Sequence, residues 1–169
     1  AETWSNWLNH PNLVVNVDFI ALHVHPYWEG IPVESAANYV LNRYLQVKNA
    51  YPGKEVIIFE TGWPSAGETY GNSIPGVDNQ RKFIREFMEL AKQNAVKYFL
   101  FEAFDEEWKG GIHQVEKHWG LFNSDRSKKA IVDTLLKTCV NERQSKCFSF
   151  SISTKVQEGM LTVQVNSKE

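Results

Sequence analysis

Three short apolar segments alternate with two segments of helical period, and this alternation restricts the fold more than any other feature of the chain. The apolar segments lie at residues 17–24, 55–60 and 96–104, and apolar residues recur with helical spacing through 33–47 and 83–91. Successive parallel strands need a crossover connection of this length, whereas antiparallel strands follow one another through tight turns. The order predicts an α/β fold, β-α-β-α-β-α with a parallel sheet, which ends in a short helix near residues 130–136.

The C-terminal end of the chain has a different pattern. The segments CFSFSIS and MLTVQV alternate strictly between apolar and polar residues, with Gly159 between them. Such alternation is typical of strands with one buried face, and it predicts a short β-hairpin. We therefore predict two parts, an α/β part at 1–138 and a hairpin extension at 139–169. Cys139 and Cys147 are as compatible with a disulfide as with two free thiols.

Charge and composition argue against several classes of function. The chain carries 18 basic and 20 acidic residues, interspersed, with a net charge of -2. Nucleic acid or an anionic membrane would need a basic stripe, and no apolar run approaches the ~18 residues of a membrane helix. We therefore expect no nucleic-acid partner, no membrane segment, no metal or other cofactor, and an uncharged substrate. Because the chain opens at Ala1 without Met or a signal-peptide pattern, we expect it to be trimmed or excerpted.

Each of the three predicted strands ends in a segment with an unusual concentration of acidic and aromatic residues. The sequences at the strand ends are HPYWEG, ETGWPSAG and EAFDEEWKGG. In α/β folds the loops after the carboxyl ends of parallel strands form the active site, so these three segments are expected to converge. Carboxylates and aromatic residues dominate them. Aromatic faces offer an apolar platform to sugars, and a carboxylate pair is the usual means of cutting a glycosidic bond.

Two of these segments resemble motifs of a known family. FETGWPSAG resembles the nucleophile motif of glycoside hydrolase family 17, the β-1,3-glucanases, and FEAFDEEWKGG…EKHWGLFN resembles its segment after the last barrel strand. DFIALHVHPYWEG is similar to the preceding strand in bacterial members. The resemblance covers roughly residues 1–136 and implies a (β/α)8 TIM barrel of which this chain holds the C-terminal portion, about strands six to eight. AETWSNWLNHP would then be the loop that leaves the fifth strand.

The resemblance also implies roles for individual residues. Glu60 takes the place of the nucleophile of a retaining enzyme, which forms a covalent glycosyl-enzyme with β-1,3-glucan and passes the sugar to water or to another sugar. Tyr27 and Lys109 would keep Glu60 ionised. The other substrate-binding candidates form a charged network and a pair of sugar platforms: Glu106, Lys109 and Glu116, with Trp63 and Trp108. Either tryptophan could equally pack under the barrel mouth, and for Trp63 packing with one edge facing the site is favoured. Glu102 is expected in the strand, pointing away from the site.

The same resemblance predicts what lies beyond this chain. The general acid/base of the family is a Glu in an Asn-Glu pair at the end of the fourth strand, and no such pair follows an apolar strand here. The N-terminal part of the barrel is therefore an expected partner, together with a β-glucan oligosaccharide or polysaccharide. An extracytoplasmic location, whether secreted, periplasmic or at the cell surface, is also implied.

Two alternatives remain open from the residues alone. His23 and His25 stand two apart on a strand and so share a face, a spacing that metal-dependent hydrolases use, and Asp105 is a possible third ligand. Hydrogen-bonded structural histidines are the commoner interpretation of such a pair. The other alternative is a barrel relative that binds carbohydrate without catalysing a reaction.

Overall fold

A computed structural model describes residues 1–133 and 135, together with the backbone of residues 151–157 and 160–166. The chain divides into two compact units, Ala1–Val132 and Asp133–Glu169, so the division precedes the predicted boundary between 138 and 139. Cys139 and Cys147 lie outside the described residues, and their pairing stays a prediction.

The first unit is built on a four-stranded parallel sheet, which confirms the predicted α/β class. The strands lie side by side in chain order: β1 (Glu2–Thr3), β2 (Phe19–His23), β3 (Glu55–Thr61) and β4 (Tyr98–Leu100). Every neighbouring pair is parallel. The carboxyl ends of the strands therefore meet at one edge of the sheet, as the sequence predicts.

The N-terminal segment differs from the predicted loop. Residues Glu2–Thr3 form β1, which pairs with Leu22 and His23 of β2. Helix α1 (Trp4–Asn9) follows at once, and the Thr3 hydroxyl accepts a hydrogen bond of 3.4 Å from the Asn6 amide at its start. A short hydroxyl residue at this position satisfies one of the free amides of the first helical turn, so the helix forms in what the resemblance assigns to a loop.

The last strand of the sheet is much shorter than predicted. β4 ends at Leu100, and the Phe101–Glu102 peptide bond after it is cis. The Glu102 amide donates to the Trp119 carbonyl at 3.3 Å, and its own carbonyl accepts from the Leu121 amide at 2.9 Å. Because these groups bond to the returning chain rather than to β3, Glu102 lies beyond the strand and the prediction that it is a strand residue is wrong.

Two long helices connect the strands. α2 (Val33–Ala50) occupies the first predicted helical segment and ends just before Pro52, which cannot continue a helix. α3 (Val77–Gln93) occupies the second. Its N-cap is Gly76, and the Asp78 carboxylate pairs with Arg81 at 2.6 Å within the first turn. Helical residues at 130–133 and 135 fall in the third predicted segment.

The two faces of the sheet differ in how they are covered. On one face Ile20, Leu22 and Ile58 are completely buried, α2 contacts both β3 and α3, and the Phe87 ring of α3 meets Tyr98 of β4 at 5.0 Å. On the other face a row of phenylalanines crosses the sheet with ring separations of 5.5 and 5.3 Å: Phe19, Phe59 and Phe99. Phe99 is 59% exposed, so this second face is largely uncovered within the described residues.

The second unit contains an antiparallel pair of strands, β5 (Ser151–Gln157) and β6 (Met160–Asn166), in which Ser151 is paired with Asn166. These strands overlap the two segments whose alternation predicts a hairpin. Among the described residues, no helix is both long enough and apolar enough to span a bilayer.

Candidate active site

Glu60 lies at the edge of the sheet where the strands end, facing one histidine at the end of the neighbouring strand and one in the loop after it. His23, the last residue of β2, is paired with Glu60 in the sheet, and the Val24 amide donates to the Glu60 carbonyl at 2.9 Å. His23 Nδ1 and His25 Nε2 each lie 3.3 Å from the same carboxylate oxygen, Glu60 Oε2. The described residues place no hydrogen-bond donor on the other oxygen, Oε1.

The surroundings of Glu60 favour its ionised form. The pKa of Glu60 is lowered, first by the hydrogen bond from His25 and then by the charges of His23, His25 and Lys109, against the opposing effect of burial. The pKa of His23 is also lowered, because burial disfavours its cation more than Glu60 favours it. At neutral pH the site therefore contains a carboxylate beside a neutral His23.

His25 is oriented by an aromatic pocket. Its ring meets Phe101 at 5.4 Å and Trp119 at 5.2 Å, both edge to face. Within the described part of the chain, His25 Nδ1 is buried without a hydrogen-bond partner. A proton on that nitrogen would be buried and unpaired, at a cost of ~1–3 kcal/mol. The geometry therefore favours the tautomer with its proton on Nε2, donated to Glu60.

Lys109 is the centre of a second charged group at this edge. Its Nζ lies 2.6 Å from Glu102 Oε2 and 2.7 Å from Glu106 Oε2, and 4.8 Å from the centre of the Phe101 ring. Burial lowers the pKa of Lys109, but the two carboxylates outweigh that effect and the pKa is raised. Burial also raises the pKa of Glu102, against the opposing effect of Lys109. Lys109 therefore carries its charge close enough to stabilise the Glu60 carboxylate.

These contacts agree with only part of the predicted charged network. Glu106 and Lys109 form the expected ion pair. Glu102 was the residue expected to point away, and that prediction is wrong, because its side chain is the nearest acceptor of Lys109. Glu116 forms no ion pair with Lys109 among the described residues; it is half-buried, and its charge helps to raise the pKa of Tyr27.

Tyr27 and Trp63 are packing residues in this structure, so Tyr27 does not hold Glu60 as predicted, and Trp63 has the packing position favoured for it rather than that of an open platform. Both side chains have 0% relative exposure. The Tyr27 hydroxyl donates to the Glu68 carbonyl at 2.8 Å rather than to Glu60, and burial raises its pKa to about 12. The Trp63 indole donates to the Ile74 carbonyl at 3.1 Å. Neither ring can touch a sugar in this arrangement, because surrounding side chains cover both.

Trp108 is the one predicted platform that the structure leaves open. Its side chain is 78% exposed, and Lys109 Nζ lies 5.7 Å from the centre of its ring. An indole with an open face beside a charged group suits a sugar ring, whose C–H face packs on the aromatic surface. Its contact with substrate stays a prediction.

Glu60 occupies the position where a metal bound by the histidine pair would be expected. The nitrogens of both histidines that face the site contact the same carboxylate oxygen. Asp105 is engaged elsewhere, since its Oδ1 accepts from Lys129 Nζ at 2.6 Å and from the Gly120 amide at 2.9 Å. Among the described residues, no three histidine, cysteine or acidic side chains are arranged to hold a metal ion. Nothing here favours the metal-dependent hydrolase.

The sequence analysis did not identify the buried residues that pack against His25 and hold the loops of the site together. Trp119 and Phe101 enclose His25, and a Cβ at Gly62 would overlap the Phe101 carbonyl oxygen, so this close approach requires glycine. The Gln80 side chain is completely buried and donates to the carbonyls of Trp63, Trp119 and Gly120. A Gln among the apolar positions of an amphipathic helix was the only signal available for this contact.

Known proteins resemble the chain over the same residues. The family model for the BtgE/BtgC glycoside hydrolase domain matches residues 1–120. The probable family 17 glucosidase SCW10 of Saccharomyces cerevisiae is 37% identical over 73% of this chain and 32% of its own length. The cell surface mannoprotein MP65 of Candida albicans is 32% identical over 73% of this chain and 32% of its own.

A solved structure is also similar. The β-1,3-glucanosyltransferase of Rhizomucor miehei, as an active-site mutant in complex with laminaritriose, superposes with a TM-score of 0.66. Its sequence is 39% identical, and the match covers 70% of this chain and 43% of that protein. These three relatives are fungal and do not bear on the bacterial likeness expected for residues 18–30.

The length of the match defines what the family assignment covers. The chain spans less than half the length of each of these relatives. The family model nevertheless extends over well more than half of this chain, including β1 to β4 and the residues around Glu60. The chain therefore belongs to the family of BtgE/BtgC glycoside hydrolase domains, to which family 17 glucosidases are related.

Proposed function

We propose that this chain supplies the nucleophile of a retaining enzyme that cleaves or transfers β-1,3-glucan, with Glu60 as the nucleophile. The observation that carries the proposal is the Glu60 carboxylate, held by two histidine nitrogens at 3.3 Å on Oε2 while Oε1 faces away from them. A nucleophilic carboxylate must be ionised at neutral pH and must present one oxygen to the anomeric carbon. The lowered pKa and the one-sided contacts meet both conditions.

The reaction needs a second carboxyl group, which the resemblance assigns to a barrel strand that precedes those of this chain. Glu60 Oε1 forms a bond to the anomeric carbon while the bond from that carbon to the glycosidic oxygen breaks, and the leaving oxygen takes a proton from a general acid. The same group then removes a proton from water or from a sugar hydroxyl, whose oxygen displaces Glu60. In the resemblance this acid/base is a Glu on the fourth barrel strand, and we assign it to the N-terminal part of the protein.

The uncovered face of the sheet supports a fold completed by further strands. Phe19 is 37% exposed and Phe99 59%, at the two ends of the phenylalanine row. An exposed aromatic row on a parallel sheet is unfavourable in water, since such sheets are normally covered on both faces. We assign β2, β3 and β4 to strands six, seven and eight of a (β/α)8 barrel whose interior the row would fill.

The substrate assignment rests on the relatives and on the side chains exposed in the loop after β4. The similar solved structure is that of a β-1,3-glucanosyltransferase with laminaritriose, and Trp108 presents an open indole beside the charged group of Lys109. An extracytoplasmic location is consistent with a polymeric substrate and with the relative named as a cell surface mannoprotein. Glu106 and Lys109 are proposed to bind sugar hydroxyls, and Glu116 is proposed to line the same part of the substrate-binding site.

The proposal is tested by the stereochemistry and the covalent intermediate of the full-length protein. NMR spectra taken during hydrolysis of a laminari-oligosaccharide are expected to show the β-anomer forming first, as retention requires. A 2-deoxy-2-fluoro β-glucosyl inhibitor is expected to label the peptide that contains Glu60. An α-anomer formed first, or a label on another carboxylate, would contradict the assignment. A protein that binds glucan but turns over none of it would instead be the non-catalytic relative.

The hydrogen bond from His25 gives a prediction about pH dependence. Replacing His25 by Phe keeps an aromatic ring between Phe101 and Trp119 but removes the donor that most lowers the pKa of Glu60. Because a carboxylate with a lowered pKa loses its ionised form as pH falls through that pKa, raising it moves the acidic limb of kcat/KM to higher pH. We also expect kcat/KM at neutral pH to fall by roughly tenfold to a hundredfold, the value of one hydrogen bond to a charged group.

The control for this variant is Tyr39→Phe, a conservative change on α2 that removes a hydroxyl beside Arg43 and Glu29 and not beside Glu60. Its pH profile is expected to match that of the parent. An acidic limb that stays in place in His25→Phe would show that His25 does not act on the nucleophile.

A further inference from the structure

Gln80 is a completely buried polar side chain to which the proposed reaction gives no role. It lies in the first turn of α3, and its Nε2 donates to the backbone carbonyls of Trp63 at 3.0 Å, Trp119 at 3.3 Å and Gly120 at 3.1 Å. In the described part of the chain, its Oε1 is buried without a hydrogen-bond partner. Burying an acceptor without a partner is unfavourable, so the donors of this amide explain the position better than packing does.

The carbonyls that accept from Gln80 belong to two separate segments of the chain. Trp63 lies in the loop after β3, whereas Trp119 lies in the segment that returns past the end of β4. The same two segments also meet where the Ser65 amide donates to the His118 carbonyl at 2.8 Å. Gln80 therefore fixes the distance between the two segments at Trp63 and Trp119, two residues and one residue away from that second contact.

The Trp119 ring connects this contact to the candidate nucleophile. Trp119 is 1% exposed, and its ring lies edge to face with the His25 ring at 5.2 Å. A Cβ on Gly62 would lie 3.3 Å from Trp119 Cε3, so the ring is closely packed on its other contacts as well. His25 Nε2 in turn lies 3.3 Å from Glu60 Oε2. Because side chains packed at this density move together, a shift of the Trp119 backbone changes the surface against which His25 rests.

We propose that Gln80 is a positioning residue of the proposed reaction: by tying the Trp63 and Trp119 carbonyls together, it holds the Trp119 ring against His25 and keeps His25 within hydrogen-bond reach of Glu60. This proposal rests on the proposed function. Gln80 touches no sugar, since it is completely buried, and it acts only through Trp119 and His25. Without its two N–H groups, the hydrogen bond from His25 to Glu60 is expected to weaken.

The test is the pH dependence of kcat/KM in the full-length enzyme with Gln80→Met, which keeps the length of the side chain but has no donor. We expect the acidic limb to move to higher pH, in the same direction as in His25→Phe, because a weaker hydrogen bond leaves Glu60 with a higher pKa. At neutral pH, kcat/KM on laminaritriose is expected to fall by roughly threefold to tenfold, less than in His25→Phe, because the hydrogen bond is weakened and not removed. A purely structural role would lower the Tm and leave the acidic limb in place.

The double variant of Gln80→Met with His25→Phe tests the path of the effect. If Gln80 acts through His25, the acidic limb of the double variant coincides with that of His25→Phe alone, since two residues coupled through one contact have non-additive effects. A further shift in the double variant would overturn the proposed path. Gln80→Asn, which keeps the amide on a shorter side chain, is expected to move the limb in the same direction and replaces Gln80→Met if that variant does not fold.

The matched control is Asn79→Ala, which removes the neighbouring amide of α3. Asn79 Nδ2 donates to the Ile74 carbonyl at 2.9 Å and not to Trp119, so the acidic limb of Asn79→Ala is expected to match that of the parent. An acidic limb that stays in place in both Gln80→Met and Gln80→Asn overturns the positioning role while the proposed function stands.

A measurement that needs no turnover separates this proposal from the proposed function. If the parent turns over no β-1,3-glucan, the proposed function fails, and NMR of the protein labelled with ¹⁵N-histidine decides the role of Gln80. The Nε2 proton of His25 is identified by the loss of its signal in His25→Phe, and it is expected to exchange with solvent faster in Gln80→Met than in the parent. Exchange at the parental rate would overturn the positioning role.

Discussion

Replacing Glu60 by Gln in the full-length protein is expected to lower kcat on laminari-oligosaccharides by roughly 10⁴-fold to 10⁶-fold, as removal of a nucleophile does in other enzymes. The amide has nearly the shape of the carboxylate, and its oxygen can still accept the hydrogen bond from His25 Nε2. It is too weak a nucleophile to form the glycosyl-enzyme. Sugar affinity is therefore expected to remain close to that of the parent in a titration with laminari-oligosaccharides.

The control for this variant lies on the same strand. Glu55 is the first residue of β3, at the opposite end of the strand from Glu60, and pairs on the surface with Lys97 at 2.7 Å. Exposed pairs contribute little to stability, so Glu55→Gln should retain parental kcat. If Glu60→Gln kept more than a few per cent of parental turnover, Glu60 would be a structural carboxylate, and Glu102 and Glu106 would be the next candidates.

Replacing Lys129 by Met is expected to destabilise the protein by about 3–5 kcal/mol, the usual cost of leaving one member of a buried ion pair unpaired. Lys129 and Asp105 are each only 8% exposed, and Lys129 Nζ also donates to Ser65 Oγ at 2.7 Å. The bond to Ser65 joins this pair, which lies in the segment after β4 with Trp119, to the loop after β3, which carries Trp63. Denaturant unfolding of the full-length protein measures the change.

A double variant shows how much of the loss of stability comes from the unpaired buried charge and how much from the changed side-chain shape. In Lys129→Met with Asp105→Asn, neither charge is left unpaired, and the Asn oxygen can still accept from the Gly120 amide. We therefore expect the double variant to recover much of the lost stability. If Lys129→Met alone unfolded at the parental denaturant concentration, the pair would contribute nothing to holding these loops.

The nucleophile candidate could be predicted because its signal is local. An apolar run that ends in a carboxylate followed by Gly, Trp and Pro marks the end of a buried strand, and Glu60 is the penultimate residue of β3. The ion pair between Glu106 and Lys109 could also be predicted, since the two residues lie three apart in one loop. The hydrogen bonds of His23 and His25 to Glu60 could not, because they depend on how β2 and β3 align in the sheet.

The sequence by itself determined the α/β class, the alternation of β2, α2, β3, α3 and β4, and the strand end at which Glu60 lies. These follow from the period of apolar residues, which reflects the local geometry of strands and helices. Only the tertiary structure decided that Tyr27 and Trp63 are buried, that Glu102 binds Lys109, and that both histidines contact one oxygen of Glu60. Aromatic and charged residues after a strand have no periodicity, and their positions depend on loops that meet only in the folded chain.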